Sequence, residues 1–213
     1  IYSGPPKPAT SEGATSPAKP IPVVADFLRE AKAQFGFVPE AATTENDYKR
    51  AYVATARTAG LTAEQCVRIY AFESGGDGKY DVQAGLEYDV PTARAVSTAL
   101  GYNQLLSTNS VELLAEAGDE FISVLGSRAR SATGARRAAL LGKIGTVKKM
   151  IAFSRTVPDR WNDHARLADT PKGIGIHALN LDIDVGPLLQ VRKLLTSVEF
   201  ARRYDVNGPL SAA

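Results

Sequence analysis

One carboxylate closes an apolar stretch in "IYAFESGG": Glu73 is followed at once by Ser74, Gly75 and Gly76. The glycines stop a helix, so Glu73 is expected at a helix C-terminus. On a wheel of about 100° per residue, Cys66, Ile69 and Tyr70 share its face, and Glu64 and Arg68 lie opposite, four apart, where they can pair in water. The apolar face must turn inward. Partial desolvation and the partial negative charge of a helix C-terminus would both hold the Glu73 proton, as a general acid for glycoside cleavage requires. Spacing alone favours the plainer reading, a helix-terminal glutamate turned to solvent.

Other reactive side chains are read more simply. Cys66 sits mid-helix on the apolar face, as a buried structural thiol does. It is the only cysteine, which excludes an internal disulfide framework and a multi-cysteine metal site. The two histidines, His164 and His177, match no metal-ligand spacing, and His177 in "GIGIHALNL" reads as a packed core histidine. Walker and Rossmann glycine signatures are absent. No metal or other cofactor is expected.

The chain has 213 residues, 44% of them hydrophobic, and a formal net charge of +2, enough for one sizeable core and no argument for nucleic acid. No apolar run is long enough to span a membrane. Residues 1–22, rich in Pro, Ser, Thr, Ala and Gly, read as a flexible tether or linker, and 23–213 as the folded domain. A first residue other than Met is compatible with a processed product or a fragment. Helices are expected in "VVADFLREAKAQFG", "ENDYKRAYVATARTAG" and "LTAEQCVRIYAFESGG", the last opened by a Thr62–Gln65 capping box. Asp77–Val90 alternates as a short, irregular β-hairpin would. Helices then resume at Pro91–Leu100, Ser110–Leu125 and through "SATGARRAALLGKIGTVKKMIAF", with the last two starting near Pro171 and Pro187.

"FESGG", Phe72 to Gly76, resembles the catalytic Glu-Ser motif of the lysozyme-like superfamily, especially soluble lytic transglycosylases. In that family a small β region and then a Gly-Leu-Met-Gln-like segment follow the acid. Here Gly101-Tyr102-Asn103-Gln104 of "ALGYNQLLSTNSVELL" stands in that place, with Ser107, Thr108 and Asn109 as the polar turn before the next helix. Leu179-Asn180 of "IHALNLDIDVG" stands where the family has Tyr-Asn, a departure at the tyrosine. The match covers about residues 62–114 well and 173–195 weakly.

The resemblance implies a mainly α (α+β) fold: a lysozyme-like helical domain with a small β-hairpin insertion after the helix of the catalytic glutamate. It implies a peptidoglycan-cleaving lytic transglycosylase in which Glu73 serves as single general acid and base. Ser74, Tyr102, Asn103, Gln104 and Asn180 would contact substrate. The partner would be the peptidoglycan glycan strand, within a bacterial periplasm or cell envelope after export, and a larger envelope assembly is compatible with this. A hydrolytic muramidase would add a second carboxylate from Asp77, Asp81, Glu87 or Asp89. A non-catalytic wall-binding scaffold would not need Glu73. A third reading uses the basic run Arg128, Arg130, Arg136, Arg137, Lys143, Lys148 and Lys149 to bind nucleic acid, but it lacks interleaved aromatics for stacking on bases. The expectation is therefore no nucleic-acid partner, and the same basic surface could hold anionic wall polymers.

Overall fold

The computed structural model describes residues 20–73, 79–86 and 93–203; side chains at 69–73, 198 and 200–203 lie outside that description. The expected tether falls almost wholly outside it. Among the described residues the chain is mainly helical. The helices are α1 (Val24–Phe35), α2 (Glu45–Thr58), α3 (Ala63–Glu73), α4 (Ser107–Ser131), α5 (Gly134–Ser154), α6 (Trp161–Ala168), α7 (Pro171–His177) and α8 (Gly186–Arg203), with a 3₁₀ turn at Ala178–Leu181. None of them is long and apolar enough to cross a membrane.

Local chemistry explains the helix starts. Thr44 caps α2 by accepting from the Asp47 N–H, while the Asp47 carboxylate accepts from the Thr44 N–H at 3.1 Å. At α3 the Thr62 hydroxyl accepts from the Gln65 N–H at 3.1 Å and Gln65 returns the bond at 2.9 Å, the expected capping box. Asn109 accepts from the Leu106 N–H at 3.1 Å where α4 begins, and Pro171 opens α7 behind the Thr170 cap.

The 25 residues of α4, about 37 Å long, form the central strut. It packs on α5, α6, α7 and α8, and α7 lies against α1. That last contact is close: a Cβ on Gly175 would sit 2.8 Å from the Ala31 backbone nitrogen. The main core runs from Phe27 through Leu113, Leu114, Val147 and Met150 to Leu189. A second cluster joins Tyr48 and Tyr52 of α2, Cys66 of α3, Tyr102, and Val191 and Leu194 of α8. Half-buried Tyr80 packs against both.

Two expected elements are different in the structure. Of the hairpin expected over 77–90, the described residues 79–86 do not pair with one another as strands. Gln83 forms an isolated antiparallel bridge with Leu100, which in turn bridges Leu105. The backbone groups of 82–84 are taken by the later segment: Ala84 N–H donates to Ala99 O, Val96 N–H to Ala84 O, and Gly101 N–H to Val82 O, at 3.0–3.1 Å. The same bonds correct the helix expected at Pro91–Leu100. Residues 93–100 are not helical, because their peptide groups serve this long-range pairing. Helix α6 was not anticipated; its eight residues are too few for a strong periodic signal.

Candidate functional site

Helix α3 runs to Glu73, the last described residue before 79. Cys66 is buried on the inner face, and burial pushes its thiol pKa up. On the outer face Arg68 and Glu64 form an exposed ion pair at 2.5 Å. The Glu73 side chain, Ser74 and Asp77 lie outside the described residues, as do Glu87 and Asp89. Asp81 is described and half-buried beside Tyr80, whose hydroxyl pKa is raised first by burial and then by that carboxylate.

The segment Gly101–Gln104 is a tight turn closed by the Gln104 N–H on the Gly101 carbonyl at 3.1 Å. Gly101 has φ 80°, and a Cβ there would come within 2.7 Å of Gln190 Nε2, so this position requires glycine. Gln104 has φ 43°, the one non-glycine residue in the left-handed region among those described. Its side-chain amide donates to Gly101 O at 2.8 Å and to Val82 O at 3.3 Å. The side chain is thus folded back onto the turn that carries it, and Gln104 stays half-buried.

Tyr102, Asn103 and Asn180 stand differently from the substrate contacts that the resemblance implies, for all three are interior. Tyr102 is 1% exposed and packs edge-on against Tyr48 and Tyr52, with ring centroids 5.4 and 5.3 Å away; its hydroxyl donates to the Glu45 carboxylate. Asn103 is clamped by Gln190: its N–H donates to Gln190 Oε1 at 2.8 Å and its Nδ2 to Gln190 O at 2.7 Å. Asn180 is fully buried, donating to Ser110 Oγ at 2.9 Å and accepting from Gln190 Nε2 at 2.9 Å. Their hydrogen-bonding capacity goes to protein partners distant in sequence. Gln190, Glu45, Tyr48 and Tyr80 complete this frame and were not singled out from sequence. The useful signal was the polar Gln190 inside the otherwise apolar "PLLQV" stretch.

His177 belongs to the same network and is a core histidine, as read. Its Nε2–H faces Thr98 O at 2.8 Å, and Nδ1 faces the Ser110 hydroxyl at 2.8 Å. Ser110 and His177 are both fully buried, so this pair is a structural strut and not a nucleophile–base dyad open to substrate. Burial pushes the ring down to about 4, against the Thr98 bond, which works upward. An unfolded histidine titrates near 6.5, so the unfolded chain takes the proton first as pH falls. The stabilisation is complete above about pH 6.5 and is lost toward pH 4, a change on the order of 3 kcal/mol. An NMR titration of the His177 ring is expected to show it still neutral at about pH 5. A midpoint near the ordinary value would contradict this.

The basic run is divided. Arg128, Arg136 and Lys143 turn toward acids, while Arg130 donates to Ser127. Lys143 Nζ lies 2.9 Å from Asp182 Oδ1 and 2.6 Å from Asp184 Oδ2, and Arg136 reaches Asp184 at 2.5 Å. Glu40 completes the group at 3.3 Å from Lys143. Lys143, Asp182 and Asp184 form the buried part of this ionic clamp, Arg136 and Glu40 are half-exposed at its rim, and Arg137, Lys148 and Lys149 are exposed. The chain matches no protein-family model, no curated protein and no solved structure.

Proposed function

We propose that the protein cleaves the glycan strand of peptidoglycan as a lytic transglycosylase, with Glu73 as its single general acid and base. The observation that supports this reading is the convergence of the two motif segments. Cys66 of the helix that ends at Glu73 and Tyr102 of the Gly101–Gln104 turn pack in one cluster. Glu73 lies seven residues beyond Cys66, about 10 Å along the helix. The long-range bridges around Leu100 tie the segment after Glu73 to the same turn.

In this mechanism the Glu73 carboxyl gives its proton to the glycosidic oxygen, and the bond from that oxygen to the sugar C1 breaks. The 6-hydroxyl of the same muramic acid residue then attacks C1, and its proton returns to the Glu73 carboxylate. The product is a 1,6-anhydro sugar, no water is consumed, and the acid is regenerated. Ser74 and the half-buried Gln104 are the remaining candidates for direct sugar contact. Tyr102, Asn103 and Asn180 act as the frame that holds the turn.

Mass spectrometry of products from purified sacculi tests the proposal. Anhydro ends, one water lighter than reducing ends, are expected. Reducing ends would instead mark a hydrolytic muramidase that uses a second carboxylate. Intact sacculi after prolonged digestion would overturn both and leave wall binding without cleavage.

A further inference from the structure

Trp161 opens α6 and is the only tryptophan in the chain. It is 45% exposed, unusual for so large an apolar side chain. Beside it Arg160, Asn162, Asp163 and Arg166 line an open hollow of about 310 Å³. Asp163 lies beneath, its side chain 8% exposed, and engages both arginines, whose side chains are 71% and 73% exposed. Its Oδ2 accepts from Arg160 Nε at 2.6 Å and its Oδ1 from Arg166 Nη2. A buried carboxylate thus holds two guanidiniums in a hollow that Trp161 also lines. Among the side chains that line the hollow, two positive charges face one negative. Each arginine gives one N–H to Asp163, and among the described residues its other N–H groups have no protein acceptor.

We propose that this hollow is a binding site for a pyranose ring that carries a carboxylate. The indole offers an apolar, electron-rich face for the C–H face of the ring, and the oriented guanidiniums take the carboxylate through charge-assisted hydrogen bonds. The natural ligand rests on the glycan reading above: the peptidoglycan strand, whose muramic acid residues carry a lactyl carboxylate or a peptide stem ending in one. Helix α6 packs on α4 and α7, whereas α3 packs on α2. The site would hold the strand away from the bond being cut.

The sole tryptophan reports on its own site. The full chain carrying Glu73→Gln, which suppresses turnover, is titrated with the N-acetylglucosamine–N-acetylmuramic acid disaccharide and, separately, with neutral chitobiose, while Trp161 fluorescence is followed. The acidic sugar is expected to change the emission and to bind about tenfold more tightly than the neutral one, the scale of one charge-assisted hydrogen bond. Arg160→Gln with Arg166→Gln should abolish that preference, with circular dichroism confirming the fold. An unchanged emission with either sugar, equal affinity for the two, or an acid preference that survives both arginine changes would overturn the site. These outcomes are independent of cleavage: a fluorescence response here, together with a wild-type chain that never cuts sacculi, would overturn the Glu73 reading alone.

Discussion

Glu73→Gln is expected to lower activity on peptidoglycan by roughly two to four orders of magnitude, the scale of losing a general acid–base group. Glutamine keeps the shape and one acceptor but has no transferable proton. The proton leaves and returns at the same residue in the proposed route, so no other side chain can take over either half of the reaction. The helix should persist, because its start is fixed by the Thr62–Gln65 box and its inner face by Cys66. Equal thermal melting of variant and wild type, together with lost product, separates chemistry from folding. Single substitutions of Asp77, Asp81, Glu87 or Asp89 to the amide should cost far less. If one of them matches Glu73→Gln and the wild-type products carry reducing ends, the mechanism is hydrolytic. A fully active Glu73→Gln removes the residue from the chemistry altogether.

The helices were legible because their signals are local. Apolar spacing and a following Gly36 mark α1, Thr62 and Gln65 mark the start of α3, and Pro171 marks that of α7. What was not legible depends on partners far along the chain. "KYDVQAGLEYDV" alternates like a hairpin, but the Gln83 amide is spent on Pro22 O and Ser97 O, 61 and 14 residues away. Asn103 and Asn180 read as substrate contacts because polar residues in a motif suggest a surface. Gln190, 87 and 10 residues distant, instead holds both inside. The α3 helix that carries Glu73 was therefore readable, whereas the division between contacting residues and supporting frame was not. A polar side chain shows its environment only when the fold brings its partner.

Lys143→Met is expected to destabilise the fold by about 3–5 kcal/mol, the usual result of removing one member of a buried ion pair. In α5 Lys143 occupies a core-facing position, in register with Leu140, Val147, Met150 and Ile151, where helical spacing would otherwise put an apolar residue. Its side chain is 7% exposed. Burial works against its charge, but Asp182 and Asp184 outweigh that and hold its pKa above the ordinary lysine value. Methionine would fill the space and leave the acids behind. Asp184 would keep Arg136, and burial, which works upward on it, is already outweighed by its cationic neighbours. Asp182 is fully buried and would keep only the backbone N–H groups of Glu40, Asp184 and Val185. Even with Lys143 present, burial pushes the Asp182 carboxyl up. Without the ammonium it should take up a proton on folding, so the folded variant binds more protons than the unfolded chain and gains stability as pH falls. The deficit relative to wild type, read from urea denaturation, should therefore be largest near neutrality and shrink toward about pH 5, while the His177 contribution cancels in the difference. A deficit that does not vary with pH would mean that lost packing, not an unpaired Asp182, sets the penalty. Because those two aspartates lie on the segment leading into α8, and α8 carries Gln190, the clamp also bears on the turn. Lys143→Met should then expose the Asn103 amide to faster hydrogen exchange before the helices melt, linking the ionic clamp to the frame behind Gln104.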